Sequence, residues 1–221
     1  VHVEPVVEPD ELATLHASVL APSFPPDELE TAAGMAEALR RGTLVAAVAR
    51  GDDGTALGLA TGSWSAGTGV LLLSYLAAAP GVRGGGVGGA LLGAALAAWV
   101  GRLDPLVVLA EVEDPAAVTG DRPVDHGDPA ARLRFYQRRG ARSLPVPYVQ
   151  PALHPGGRRV PGMLLLALAV RADLVDDDGA WRLPAAPLRD FLTGYYAQTE
   201  GGSPPPELLR PLDRTEVVLP L

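Results

Sequence analysis

The chain has no cysteine, lysine, asparagine or isoleucine, and phenylalanine, tryptophan and tyrosine together make up only 5% of its 221 positions. Without cysteine there is no disulfide framework, no thiolate metal site and no cysteine nucleophile. The missing lysine, asparagine and isoleucine read as the imprint of a GC-rich genome on codon choice, from which no function follows. Basic residues are in the minority, 18 against 26 acidic ones, for a formal charge of -8. They form no run that could track phosphates along a nucleic acid, so no nucleic-acid partner is expected. Nor is a membrane. No charged start leading into an apolar stretch marks a signal peptide, and the apolar run from Val70 is broken by Pro80, Arg83 and glycines before it could span a bilayer. A cytoplasmic bacterial protein fits these absences. The acidic balance suits attraction of a cationic small molecule, but a negative field is more commonly a device for solubility.

What is present is an ordinary core, 48% hydrophobic, punctuated by 26 glycines and 22 prolines. Length and composition lead us to expect one main domain. Val1 to Val7 alternate like a strand, and Pro9-Asp10-Glu11 opens a helical stretch to Leu20. A second helix is expected from Pro25-Pro26-Asp27 to Arg41, ended by Gly42. Leu44 to Arg50, Ala56 to Trp64 and Val70 to Ala79 follow as an antiparallel meander, with turns at Gly51-Asp52-Asp53-Gly54 and Ser65-Ala66-Gly67. Gly86 to Val100 is apolar nearly all the way round, which predicts a deeply packed helix. A strand at Leu106 to Val112 and an irregular loop lead to a helix capped by Asp128-Pro129 and ending before Gly140. Two more strands, Arg142 to Val149 and Val160 to Val170, complete the order β-α-α-β-β-β-α-β-α-β-β. From Arg171 the composition turns acidic and proline-rich. Asp176-Asp177-Asp178-Gly179 reads as a linker before a short helix from Pro187 to Gln198.

The most informative segment is Arg83-Gly84-Gly85-Gly86-Val87-Gly88-Gly89. Successive backbone N-H groups converge on a phosphate only where no side chain blocks the approach, and a following helix adds its positive end. Gly84-x-Gly86-x-x-Gly89 also matches the dinucleotide fingerprint of a nicotinamide enzyme. That reading needs a first parallel strand before the glycines and an acidic residue closing the next strand. Here a meander precedes them, and Asp104 comes before a strand. A glycine turn that merely packs a helix close to a strand is the other alternative.

The stretch Leu76-Ala77-Ala78-Ala79-Pro80-Gly81-Val82-Arg83-Gly84-Gly85-Gly86-Val87-Gly88 resembles the signature of the GNAT (Gcn5-related) N-acetyltransferases, a strand and a proline followed by Arg-x-x-Gly-x-Gly. Leu109-Ala110-Glu111-Val112 resembles that family's strand after the cofactor helix, and Arg134-Phe135-Tyr136-Gln137-Arg138-Arg139-Gly140-Ala141 its second signature. The resemblance covers roughly residues 1–170. It implies an α+β fold, a mixed and mostly antiparallel central sheet flanked by helices; residues 171–221 lie outside it as a C-terminal extension, for which a lid or a dimer contact is the expected role. It also implies acetyl-CoA as acyl donor, held at Leu76, Ala77, Ala78, Arg83, Gly84, Gly85, Gly86, Val87, Gly88 and Gly89, with a backbone N-H near Ala78 meeting the oxyanion.

Direct transfer of an acyl group from a thioester to an amine needs a base for the amine, an oxyanion site and a proton for the departing thiolate. Glu111 and Glu113, two apart on a predicted strand, face the same way, and the resemblance singles out Glu111 as the base. It gives Tyr136 the role of the acid, whereas pattern alone makes Tyr136 a core aromatic beside Phe135. Asp121, Asp125, His126 and Asp128 include metal-ligand types, but an aspartate-rich loop is commonly just solvated, and no metal is expected. His16 and His154 lack a partner that sequence names. Tyr195 and Tyr196 of the extension either cover an acceptor pocket, meet a second subunit or simply pack. The expected activity is N-acetylation of a primary amine on a small molecule, with no membrane or nucleic-acid partner and a homodimer possible. Acetylation of a protein amine and a non-catalytic acyl-CoA sensor stand as alternatives.

Overall fold

The computed structural model describes residues 1–82, 85–117, 128–153 and 157–221. Its elements are β1 (His2–Val6), α1 (Pro9–Leu15), α2 (Ala32–Arg40), β2 (Leu44–Arg50), β3 (Ala56–Ser65), β4 (Val70–Ala78), α3 (Val87–Leu103), β5 (Val107–Glu113), α4 (Pro129–Gln137), β6 (Arg142–Ser143), β7 (Met163–Val170), β8 (Trp181–Pro184), α5 (Ala185–Glu200), α6 (Pro206–Leu209) and β9 (Glu216–Leu219). Seven strands form a sheet in the order β1-β2-β3-β4-β5-β7-β6, and β8 pairs with β9 in a separate small sheet. The β1–β2, β2–β3, β5–β7 and β6–β7 pairings are antiparallel. The expected α+β class, a mostly antiparallel sheet with flanking helices, is the class found. Among the described residues no helix is long and apolar enough to cross a membrane.

The chain packs as two compact units, one of Val1–Trp64 with Leu72–Asp104 and one of Ser65–Leu71 with Pro105–Leu221. In the first, β2 is buried on both sides. Leu44, Ala46 and Val48 join Leu12, Leu15 and Met35 in a core that also takes in Leu59, Tyr75 and Ala77. Helix α3 packs against β1 and β2. Its buried residues are a single stripe, Val87, Leu91, Leu92, Ala95 and Trp99, while Ala94, Ala97 and Ala98 are exposed. The expected all-round packing is thus corrected: alanine and glycine count as apolar but offer too little area to demand burial. The helix expected over residues 25–41 also divides. Pro26–Glu28 is a single 3₁₀ turn, and α2 starts after Thr31, whose hydroxyl accepts the Gly34 N-H at 3.1 Å. This side-chain cap satisfies a donor that the helix start leaves open.

In the second unit β5 pairs with β7 across a bulge at Val108/Leu109, and α4 packs on β5. Asp128 caps α4 as read from sequence, accepting from Ala130 N at 2.9 Å. The strand expected over Arg142 to Val149 shrinks to Arg142–Ser143. Pro145 and Pro147 have no N-H to give a ladder, although Leu144, Val146 and Tyr148 still alternate inward. Likewise Pro161 and Gly162, the latter at φ +72°, delay the last core strand to Met163. The stretch read as a linker, Asp176 to Gly179, is a tight turn in which Asp176 Oδ1 accepts from Asp178 N and Ala180 N at 3.1 and 2.7 Å. Arg142 pins this turn and the last strand together: it donates to Gly179 O at 2.9 Å and Leu219 O at 2.8 Å while stacking over Trp181. The extension buries Leu188, Phe191, Leu192 and Tyr196 of α5.

Candidate functional site

In the first unit, the end of β4 leads into the glycine turn. Leu76 and Ala78 are half-buried on one face of β4, and Ala77 is buried on the other. Arg83 and Gly84 lie outside the described residues. Gly86 takes φ +77° and serves as N-cap of α3 without any side-chain cap, a left-handed conformation that glycine adopts freely. Its carbonyl accepts from Gly89 N at 3.0 Å and Ala90 N at 3.1 Å. The Gly89 amide, expected to face a phosphate, is therefore spent on the first helical turn.

The space around these glycines bears on whether they serve packing or a ligand. A Cβ added at Gly86 or Gly88 would meet nothing within 4 Å, and one at Gly85 only Val82 O at 3.8 Å. Packing does not require glycine there. The close helix-to-strand approach is made instead by Gly58 on β3, where a Cβ would sit 2.8 Å from Ala77 O and 3.2 Å from Leu91. An unobstructed turn at a helix's positive end fits a pyrophosphate, as CoA carries.

The second unit holds the acid-base candidates, Glu111 and Glu113 on β5 and Tyr136 on α4. Glu111 lies on β5, its carboxyl enclosed by neutral donors: Tyr148 O-H to Oε1, Gln150 Nε2 to Oε2 at 2.9 Å, and Tyr195 O-H to Oε2 at 3.4 Å. Burial raises its pKa above the usual carboxylate range, and the three hydrogen bonds only partly offset that rise. Burial likewise lifts the Tyr148 hydroxyl well above its ordinary value, with the Glu111 carboxylate adding to the effect. Glu113, the other acidic candidate, is ion-paired with Arg132 of α4 at 3.1 Å. Tyr136 sits on the buried side of α4 with its ring edge-on to Phe135, centroids 5.1 Å apart. Burial pushes its pKa up to about 12 against the pull of Arg132 and Arg139, so the phenol holds its proton at neutral pH.

Tyr148 and Gln150 were not singled out in the sequence. Their signal was present as two polar-tipped residues two positions apart, but the prolines around them hid the spacing within an apparent strand end. Tyr195 reaches Glu111, whereas Tyr196 turns away to donate to Val149 O. Neighbours on a helix point about 100° apart, so adjacent tyrosines take separate partners. His16 contacts the Glu30 carbonyl through Nε2 at 2.8 Å. Among the described residues no cluster of three or more histidine, aspartate or glutamate side chains is placed to hold a metal. Asp121, Asp125, His126 and His154 lie outside those residues.

No protein-family model and no curated protein matches the sequence. Solved structures do match. A GNAT-family protein of Bacteroides thetaiotaomicron superposes with a TM-score of 0.55 at 24% identity, covering 76% of this chain and 86% of its own. A point mutant of the spermidine N-acetyltransferase of Vibrio cholerae gives 0.54 at 12%, covering 78% and 96%. The ribosomal-protein-S18-alanine N-acetyltransferase of Escherichia coli gives 0.52 at 17%, covering 76% and 93%. Together with the strand order and helix placement described above, these likenesses establish that the chain has the fold of the GNAT acetyltransferases.

Proposed function

We propose that this protein is an N-acetyltransferase that moves an acetyl group from acetyl-CoA to a primary amine of a small molecule. The observation carrying the proposal is Glu111, a carboxyl on β5 of this fold whose hydrogen-bond partners among the described residues are neutral. Such a group, its pKa raised by burial, is suited to taking a proton from an ammonium or amine. The amides of Val87 and Gly88, with the turn from Arg83 to Gly86, hold the CoA pyrophosphate, and the backbone of Leu76, Ala77 and Ala78 aligns the arm that bears the thioester. The acetyl thioester is the chemistry that the cosubstrate supplies. Glu111 accepts the amine's proton, the Ala78 N-H stabilises negative charge on the carbonyl oxygen, and Tyr136 donates its proton to the departing sulfur.

The net charge of -8 favours approach of a cationic acceptor. Among proteins sharing the fold, one is named for spermidine and one for a protein alanine, so both kinds of amine are chemically accommodated by it. The choice of a small molecule rests on the enclosure of Glu111 by side chains on several sides.

The test begins with thermal stabilisation of the purified full chain by acetyl-CoA, CoA and NAD at equal concentration, since a ligand preferring the folded state raises the melting temperature. Stabilisation by the CoA species and not NAD is expected. A panel of primary amines, diamines and short peptides is then assayed for acetyl-CoA-dependent thiol release. No stabilisation by saturating acetyl-CoA overturns the proposal, and turnover confined to peptides overturns the small-molecule part.

A further inference from the structure

The hydrogen bonds around Glu111 come from two places in the chain: Tyr148 and Gln150 from the irregular segment after β6, and Tyr195 from α5 in the C-terminal extension. The same helix grips that segment on both sides of Gln150. Tyr196 O-H donates to Val149 O, and Glu200 Oε2 accepts from Ala152 N at 3.1 Å. Glu200 is held in turn by Arg159, which lies 5.0 Å over the Tyr196 ring and also donates to Ser203 O at 2.7 Å. Helix α5 therefore touches the carboxyl directly and fixes the backbone that carries its other two donors.

We propose that the C-terminal extension is a built part of the acid-base centre, with Tyr195, Tyr148 and Gln150 acting as positioning residues that assign each oxygen of the Glu111 carboxyl to its own donors and hold it in one orientation. This rests on the reading of Glu111 as the base. It gives the extension a role distinct from a lid or a dimer contact. Oε1 is occupied by Tyr148, and Oε2 by Gln150 with Tyr195 at the longer distance, so three donors meet a carboxylate with about four acceptor directions and Oε1 keeps one for the substrate's proton. Among the described residues, the titratable groups around the carboxyl are Tyr148, Tyr195 and Tyr196. On its own strand Glu113 is neutralised by Arg132 of α4, and β7 presents Leu165 opposite. The donors that face Glu111 are thus uncharged, and each favours the carboxylate over the acid.

The direct test is titration of the Glu111 carboxyl by ¹³C NMR in the ligand-free full chain, the signal being assigned by its loss in Glu111→Gln. Gln150→Leu and Tyr195→Phe each remove one donor, and the second keeps the ring stacked on Phe191. Without a donor the carboxylate loses support, so the titration midpoint moves to higher pH, by about one unit for Gln150→Leu. The shift for Tyr195→Phe is smaller, as its 3.4 Å bond dictates. Tyr195→Phe deletes a single oxygen, which keeps the test available even if Gln150→Leu fails to fold. Unmoved midpoints in folded variants overturn the proposal.

The acid limb of kcat/KM for acetyl transfer separates this outcome from failure of the function itself. A limb that moves with the carboxyl midpoint supports both. A carboxyl that shifts while the limb stays in place, or a fully active Glu111→Gln, leaves the positioning contacts standing and sinks Glu111 as the base.

Discussion

Arg132 on α4 donates to Oε2 of Glu113 at 3.1 Å, and this ion pair separates two acidic residues that sequence alone left equivalent. Glu113 is committed to a cation, whereas the Glu111 carboxyl accepts from neutral side chains. Glu111→Gln is expected to lower kcat by about 10²-fold or more, the usual contribution of a general base. Glu113→Gln keeps its turnover and loses at most about 1 kcal/mol of stability, because the pair is partly exposed. Steady-state kinetics of both variants on one amine settle the matter, and equal losses would contradict the assignment.

Burial of Glu111 also has a stability signature. Its folded pKa is raised, so the native state holds this proton more tightly than the unfolded chain does. The carboxyl's contribution is therefore most favourable below the unfolded value, about 4.3, and is lost as pH rises through the folded value. Glu111→Gln removes the effect. The variant's melting temperature relative to the native chain should be higher at pH 7 than at pH 4, and a difference independent of pH would argue against a desolvated carboxyl.

The glycine turn offers a separation of folding from binding. Gly88 lies in the first turn of α3 with open space around it, so Gly88→Ala should raise the melting temperature of the ligand-free protein, by about 0.5–1 kcal/mol in stability. The same methyl obstructs a phosphate at the amides, and stabilisation by acetyl-CoA should shrink or vanish. Gly58→Ala should behave differently. Its Cβ would press on Ala77 O, costing about 1–3 kcal/mol. If Gly88→Ala is stabilised by acetyl-CoA as strongly as the native chain, the turn is not the phosphate site.

Tyr136→Phe should leave acetyl-CoA affinity intact while reducing kcat by about 10²-fold, since the buried ring is kept and only the proton donor is lost. Replacing acetyl-CoA by a thioester with a more acidic leaving thiol should restore much of the rate. Wild-type turnover in the variant would return Tyr136 to the role of a core aromatic.

The regular elements were legible where a single physical cue decided them. β2, β3 and β4 stand within a residue or two of their expected bounds because apolar runs alternate with glycine-containing turns. Asp128 capped its helix as read because the capping carboxylate and the following proline act locally. The reading failed where cues competed. Two prolines at 25 and 26 looked like a helix start, but Thr31 provided the side-chain acceptor. The pairing of β8 with β9 was missed because the two strands lie 38 positions apart at Trp181 and Leu219, beyond any periodicity window. Of the candidate residues, Glu111 and Tyr136 were picked out by family resemblance, while Tyr148 and Gln150 became visible only when the chain placed them beside a carboxyl 37 and 39 positions earlier.

Gln150 belongs to no strand, and an isolated bridge to Val160 ties its backbone. Glu111, by contrast, lies inside β5 with Leu165 of β7 as its ladder partner. Local opening draws on the parts of a protein with the fewest cooperative bonds, so the donor segment exchanges its amides at a lower free energy than the strand it serves. Warming would then disconnect the carboxyl from its donors while the sheet remains intact. Heat inactivation would precede melting, and the two temperatures would measure different structures within one chain.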